Sequence, residues 1–268
     1  MKYSMMSYTM AGGKWGENPD IEYLCKLTRN LGLDGIEWVG LYGRRADEVK
    51  EIMDDYGLKT VCYTFFVDIN FKDENLRRHG IEQIKRGIEE SKVLATDKIM
   101  LPIGGKDEYS RDESRENVIK GLEEVIGLAD NYGISITVEQ FPDIRGPFLN
   151  SEDMKKIIKE IPQVKVTFDS GNVILGGEEP SESFLKMKEY VIHTHFKDWE
   201  ISNDGKEGLD GKKYIPALIG EGIIDYKKLV KTMEKENYLS YVSIEYEGYK
   251  YDREEAIIKA LNFLKNIK

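Results

Sequence analysis

Along the chain, short runs with apolar residues at every second position alternate with longer segments whose apolar residues recur at spacings of three and four. The first pattern is that of a strand with two unlike faces, the second that of a helix with one buried stripe. The strand-like runs are KYSMMSY, GIEWVG, KTVCYTFF, DKIMLPIG, ISITVEQF, VKVTFDS, VIHTHFKD and SYVSIEYE, eight in all. Between and after them stand IEYLCKLTRNLGL, RADEVKEIMDDYG, ESRENVIKGLEEVIGLADNYG and REEAIIKALNFLKNIK, in which the positions outside the apolar stripe are mostly charged. Several of these segments close on glycine, as in RNLG, DDYG and DNYG, the residue that most easily takes the left-handed conformation ending a helix.

Eight strands alternating with one-sided helices, at about 33 residues per unit, predict a parallel sheet closed into a (β/α)8 TIM barrel. The 268 residues suit one such barrel and contain no stretch of linker character, so a single domain over 1–268 is expected. No Gly-x-Gly-x-x-Gly follows the first strand, which argues against an open dinucleotide-binding sheet.

In a barrel of this kind the chemistry sits at the C-terminal ends of the strands. Strand alternation sets Ile136 and Val138 opposite Thr137 and Glu139, and Val166 and Phe168 opposite Thr167 and Asp169. It likewise sets Ile192 and Phe196 opposite His193, His195 and Lys197, and Val242, Ile244 and Tyr246 opposite Ser243, Glu245 and Glu247. With the apolar phase packed on helices, Glu139, Asp169, His195 and Glu245 project inward near the top of the barrel. Three carboxylates in one cavity repel unless a cation neutralises them. One divalent metal ion is therefore expected, and Mn²⁺, Mg²⁺, Co²⁺ and Zn²⁺ all accept this ligand set.

Other residues follow from position. His193, one layer deeper than His195, is expected to support the ligands by a hydrogen bond. Lys197 is read as stabilising a developing oxyanion, narrowly ahead of a structural pairing with a carboxylate. Asp198, on the opposite phase, suits a helix or loop anchor. Glu37, ending the second strand, and Arg145, in the loop after Glu139, are expected to touch substrate. Gly12-Gly13-Lys14 and Gly104-Gly105-Lys106 read as turns beside a charge rather than phosphate cradles. The segment from Asp198 to Ile224 greatly exceeds the roughly 2–6 residues of an ordinary βα connection, and is expected to act as a lid.

Composition narrows the partners. A formal net charge of −10 repels a phosphate backbone, which excludes nucleic acid. The N-terminus lacks the apolar core of a signal peptide and no run approaches the ~20 apolar residues of a membrane span, so a soluble, cytoplasmic protein with no membrane partner is expected. Cys25 and Cys62 form no Cys-x-x-Cys and read as structural thiols. A homo-oligomer is compatible with all of this.

The stretches LGLDGIEW, TVEQF, TFDSGN, HTHFKDW, IGEGIIDY and VSIEYE, in that order, resemble the xylose isomerase-like barrels of the sugar phosphate isomerases and epimerases. The resemblance runs from about the second strand to the eighth. It implies that Glu139, Asp169, His195 and Glu245 hold one divalent metal, and that Glu139 and Glu245 serve as the acid/base pair on either face of the substrate. It further implies an isomerase or epimerase of a sugar or sugar phosphate acting through an enediolate. A dehydratase of a keto-polyol resembling an inosose is the alternative on the same site, and a non-catalytic metal- and sugar-binding barrel the alternative outside enzymology. Where many members carry His after the strand-six Asp, this chain has Asn172, so a bond to a substrate hydroxyl is expected from its amide. The related apurinic endonucleases bind three zinc ions with many more histidines than the three present here.

Overall fold

The computed structural model describes residues 1–11, 18–33 and 35–267. Gly12, Gly13 and Lys14 therefore lie outside the described residues. In chain order the strands are β1 (Lys2–Met6), β2 (Gly35–Val39), β3 (Lys59–Thr64), β4 (Lys98–Leu101), β5 (Ser135–Glu139), β6 (Lys165–Asp169), β7 (Val191–Phe196), β8 (Asp198–Ser202), β9 (Lys206–Glu207), β10 (Lys213–Ala217) and β11 (Tyr241–Ile244). The helices are α1 (Ile21–Asn30), α2 (Ala46–Asp55), α3 (Glu74–Val93), α4 (Arg111–Glu123), α5 (Ile126–Tyr132), α6 (Ser151–Glu160), α7 (Asn172–Leu175), α8 (Pro180–Met187), α9 (Tyr226–Lys235) and α10 (Arg253–Asn266). Strands β1, β11, β7, β6, β5, β4, β3 and β2 form a closed parallel barrel in that order, with β2 paired back to β1. This is the (β/α)8 architecture expected from the periodicity, and all eight strand-like runs contribute a barrel strand.

The apolar phase of each strand faces the helices. Ile36, Trp38, Ile136, Val138, Val166, Phe168, Phe196, Val242 and Ile244 are buried in one continuous core with the inner stripes of the helices. Burying these side chains against helices supplies the main stabilising term, at roughly 1.5–3 kcal/mol for each large apolar side chain. The opposite phase fills the barrel interior, where polar side chains stand beside Met6 and Met100. Ser4 Oγ lies 3.0 Å from Ser243 Oγ, and Thr137 Oγ1 lies 2.7 Å from Thr167 Oγ1 while donating to the Ile99 carbonyl at 3.0 Å. Because these groups pair with one another, their burial is tolerated. The pleat then carries Glu139, Asp169, His195 and Glu245 onward in the same phase.

Helix ends follow their sequence signals. Asp20, Asp73, Ser110, Asn150 and Asp252 cap α1, α3, α4, α6 and α10 with side-chain oxygens accepting first-turn N–H groups. Gly57 and Gly133 end α2 and α5 at φ of 62° and 69°, a region where a Cβ is strained. Among the described residues no helix is long and apolar enough to cross a membrane.

The connection after β7 is folded. Strands β8, β10 and β9 form a three-stranded antiparallel sheet beside the barrel mouth. Asp198 ties it down, its carboxylate accepting from the N–H groups of Gly220 at 3.1 Å, Gly222 at 3.2 Å and Ile224 at 3.2 Å. Trp199 and Tyr214 pack against Leu149 and Leu175 beneath it.

Candidate metal centre

Strand ends β5, β6, β7 and β11 deliver their polar phase to one point. His195 Nδ1 lies 3.2 Å from Glu139 Oε2, 3.8 Å from Glu245 Oε2 and 3.9 Å from Asp169 Oδ2. Donor atoms of Glu139, Asp169 and His195 all lie within 4.8 Å of one another. All four side chains are buried.

The other imidazole nitrogen is committed elsewhere. His195 Nε2 donates to the Glu37 carboxylate, at 3.0 Å from Oε1 and 2.9 Å from Oε2. An N–H held there leaves Nδ1 as the nitrogen facing the carboxylates, the arrangement in which a carboxylate fixes the tautomer of a ligand histidine. Glu37 is fully buried, and also accepts from His193 Nε2 at 2.7 Å and from Thr64 Oγ1 at 2.6 Å. The structure thus corrects its expected role, because Glu37 stands behind the histidines and not against a substrate. A register shift between Ile36 and Glu37 in the β2–β3 pairing accompanies this inward placement. His193, one layer below His195, has Ser243 Oγ 3.2 Å from its Nε2.

Electrostatics follow from burial and these pairings. Burial pushes Asp169 up to about 6, aided by Glu139 and opposed by Lys197. Burial pushes Glu245 up to about 8, again against Lys197. Burial alone would raise Glu37, but the two imidazoles beside it hold its carboxyl well below the usual carboxylate range. Desolvation works against the His195 cation, yet Glu37 and Glu139 keep its pKa well above the ordinary value. For His193 burial wins, and its pKa is lowered.

One carboxylate oxygen in this cluster has charged neighbours but no hydrogen-bond partner. Asp169 Oδ1 accepts from the N–H groups of Gly171 at 2.8 Å and Asn172 at 2.7 Å, but Oδ2 is buried without a hydrogen-bond partner. A buried carboxylate oxygen left unpaired costs stability unless something else fills its coordination. An oxygen-rich donor set with one oriented imidazole fits a divalent cation. Glu37, Cys62 and His193 form a second close group, but Glu37 and His193 are bonded to each other and burial pushes the Cys62 thiol well above its ordinary value.

Lys197 Nζ lies 2.8 Å from Glu245 Oε1, 3.4 Å from Glu247 Oε1 and 4.0 Å from Asp169 Oδ2. Glu247 shares the strand phase of Glu245 two residues before it, and that spacing is its signal in the sequence. Asn172 Nδ2 donates to the Gln140 carbonyl at 2.7 Å. One of the two N–H donors of this amide is therefore committed to the backbone, and its Oδ1 is buried without a hydrogen-bond partner. Gln140, which also accepts from the Asp169 N–H at 3.2 Å, carried no periodicity signal as a supporting residue. Arg145 lies on the exposed rim, paired with Asp143 and Asp107. Lys106 pairs with Asp68 at 2.8 Å over the Phe71 ring, and Gly105 donates its N–H to Asp143, so Gly104-Gly105-Lys106 is a braced turn.

The family model described as xylose isomerase-like TIM barrel matches residues 25–267. An uncharacterised protein of Methanocaldococcus jannaschii is 28% identical over 235 residues, covering 84% of this chain and 73% of its own. An inosose dehydratase of Lacticaseibacillus casei is 23% identical over 143 residues, 51% of this chain and 48% of its own. Among solved structures, a D-allulose 3-epimerase from Methylomonas sp. in complex with D-allulose superposes with a TM-score of 0.81 at 15% identity, covering 100% of this chain and 97% of that one. The IolI protein with a bound zinc atom superposes with a TM-score of 0.80 at 20% identity, covering 100% and 99%. At these identities the structural likeness is one of fold.

Proposed function

The chain belongs to the xylose isomerase-like TIM barrel family, and we propose that it is a divalent-metal-dependent isomerase or epimerase of a sugar or sugar phosphate, working by proton abstraction beside a carbonyl. The observation carrying this reading is the ring of Glu139, Asp169 and Glu245 around His195 Nδ1, with Asp169 Oδ2 unpartnered. A divalent ion held by these four residues would polarise a substrate carbonyl and acidify the neighbouring C–H.

The chain's own residues do the rest. Glu139 and Glu245 stand on strands separated in the barrel by β6 and β7, so they approach a bound sugar from different sides. One removes the proton next to the carbonyl, and the other returns a proton to the opposite face or the adjacent carbon. Lys197, held beside Glu245, is a fixed cation for negative charge developing on the enediolate oxygen. Glu37 orients His195, and Asn172 Oδ1 is placed to accept from a substrate hydroxyl. Burial of all these groups excludes water from the proton transfer.

Incubation of the Mn²⁺-loaded protein with its substrate in D₂O tests the reading. Deuterium appears at the carbon beside the carbonyl, and Glu139→Gln and Glu245→Gln each remove that exchange in a folded protein. Unlabelled product with full turnover sinks the paired-glutamate route, since a hydride shift exchanges nothing with solvent. The inosose dehydratase relatives favour a second reading, in which the same enediolate expels a hydroxyl one carbon further on. Loss of water from the product distinguishes it.

A further inference from the structure

Beside the candidate centre lies a cavity of about 720 Å³ that none of the four metal-ligand candidates lines. It spreads over the C-terminal ends of β1, β2 and β3, with Lys206 and Pro216 of the antiparallel sheet on another side. Six aromatic side chains, Tyr8, Tyr42, Phe65, Phe66, Tyr246 and Tyr249, line it. Glu247 lines it too, and through Lys197 it connects the cavity to Glu245, since Lys197 Nζ lies 3.4 Å from one and 2.8 Å from the other.

The walls are built rather than incidental. Tyr42 takes a backbone φ of 51°, costly for a bulky residue, and its hydroxyl lies 2.9 Å from Ser7 Oγ. The Arg253 guanidinium donates to the Tyr246 carbonyl at 2.8 Å and lies 5.5 Å and 5.7 Å from the Tyr246 and Tyr249 ring centroids. Phe66 and Tyr249, in contrast, are 60% and 92% exposed. Aromatic faces left open beside a catalytic mouth are surfaces for flat, weakly polar faces such as the C–H face of a pyranose. The cations of this wall are engaged, Arg253 as described and Lys206 with Glu247 at 3.9 Å, and the Glu247 carboxylate opposes an anionic group. That combination favours a neutral occupant over a phosphate. In volume the cavity falls within the roughly 300–1,000 Å³ of sites that take drug-sized ligands.

Resting on the isomerase/epimerase reading, we infer that the substrate is a glycosylated keto-sugar whose reacting ring sits over Glu139 and Glu245 and whose second, uncharged ring stacks in the aromatic cavity between Phe66 and Tyr249. Substrate choice on this view is set by the loops that follow β1, β2, β3 and β11.

Calorimetric binding to the Mn²⁺-loaded protein tests it with D-fructose and three ketose disaccharides: turanose, lactulose and isomaltulose. At least one disaccharide binds ten-fold or more tighter than fructose, and the Phe66→Ala/Tyr249→Ala double variant brings it to within about three-fold of fructose. Both side chains are exposed, and a thermal melt matching the parent's establishes that the variant is folded. Equal or weaker binding of every disaccharide overturns the inference, as does an affinity gap that survives the double variant, or no binding of any of the four sugars. Its failure is separable from failure of the isomerase/epimerase reading. That reading is judged by deuterium incorporation beside the carbonyl in D₂O and its loss in Glu139→Gln, neither of which involves the aromatic wall.

Discussion

Glu37 determines how His195 can work, although it is unavailable to a substrate. Its carboxylate accepts from both imidazoles and from Thr64, which orients His195 and places the N–H on Nε2. Glu37→Gln keeps the shape but removes the charge, and an amide cannot accept from every one of these donors equally well. A loss of divalent-metal affinity of about 10–100-fold is expected, read by competition with a chromophoric chelator. Thr64→Val, which removes one donor from Glu37 while leaving the carboxylate, gives a smaller loss. An unchanged affinity in Glu37→Gln would show that the His195 tautomer is fixed by something else. Lys197 offers a parallel case. Lys197→Met leaves Glu245 and Glu247 without their shared cation, so the exchange rate in D₂O falls by about 10²–10³-fold while Mn²⁺ still binds.

Among the elements, the segment expected to act as a lid folds as the antiparallel sheet of β8, β9 and β10. A segment of this length stays ordered only if its backbone groups are paired, and here an antiparallel ladder and the Asp198 carboxylate pair them. Asp198→Ala strands the N–H groups of Trp199, Gly220, Gly222 and Ile224 and destabilises by about 1–3 kcal/mol. Hydrogen exchange is expected to accelerate first in residues 218–224, with the barrel strands still protected. In the unsubstituted, ligand-free protein, amides of β8 and β10 exchange slowly. Rapid exchange there that slows only on adding a sugar would restore the lid.

At the scale of the whole molecule, the cluster couples protonation to stability. Asp169 and Glu245 in the folded protein titrate at about 6 and about 8, above the ~3.9 and ~4.3 of unfolded carboxyls. Between those limits the native state binds more protons than the unfolded one, so metal-free stability falls as pH rises. Their contribution is fully present below about pH 4 and is lost as pH climbs through about 6 and then about 8. Glu37, held low, is already ionised over most of this window and contributes no slope there. Differential scanning calorimetry in chelator is expected to show Tm declining from pH 5 toward pH 9. Saturating Mn²⁺ reverses the slope, because binding releases the same protons. A metal-free Tm that rises over this range would contradict the buried, proton-bearing carboxyls.

The alternation of polar and apolar positions was sufficient for the barrel, since period two and period 3.6 are local properties and each strand's phase says which face meets helices. It was sufficient also to bring Glu139, Asp169, His195 and Glu245 to one mouth, because a closed parallel sheet sends every inward strand end to the same place. What lies across the barrel was not readable in this way. Glu37 comes from a strand remote in sequence from His195, and only closure of β2 against β1 brings it 2.9 Å from Nε2. The commitment of Asn172 Nδ2 to Gln140 depends on a loop path that no periodicity encodes. The folding of β8–β10, the exposed position of Arg145 and the aromatic cavity joined to the centre through Glu247 likewise depend on loops meeting in space. Periodicity along a chain fixes which way a side chain points, whereas the partner it meets there is chosen by tertiary contact.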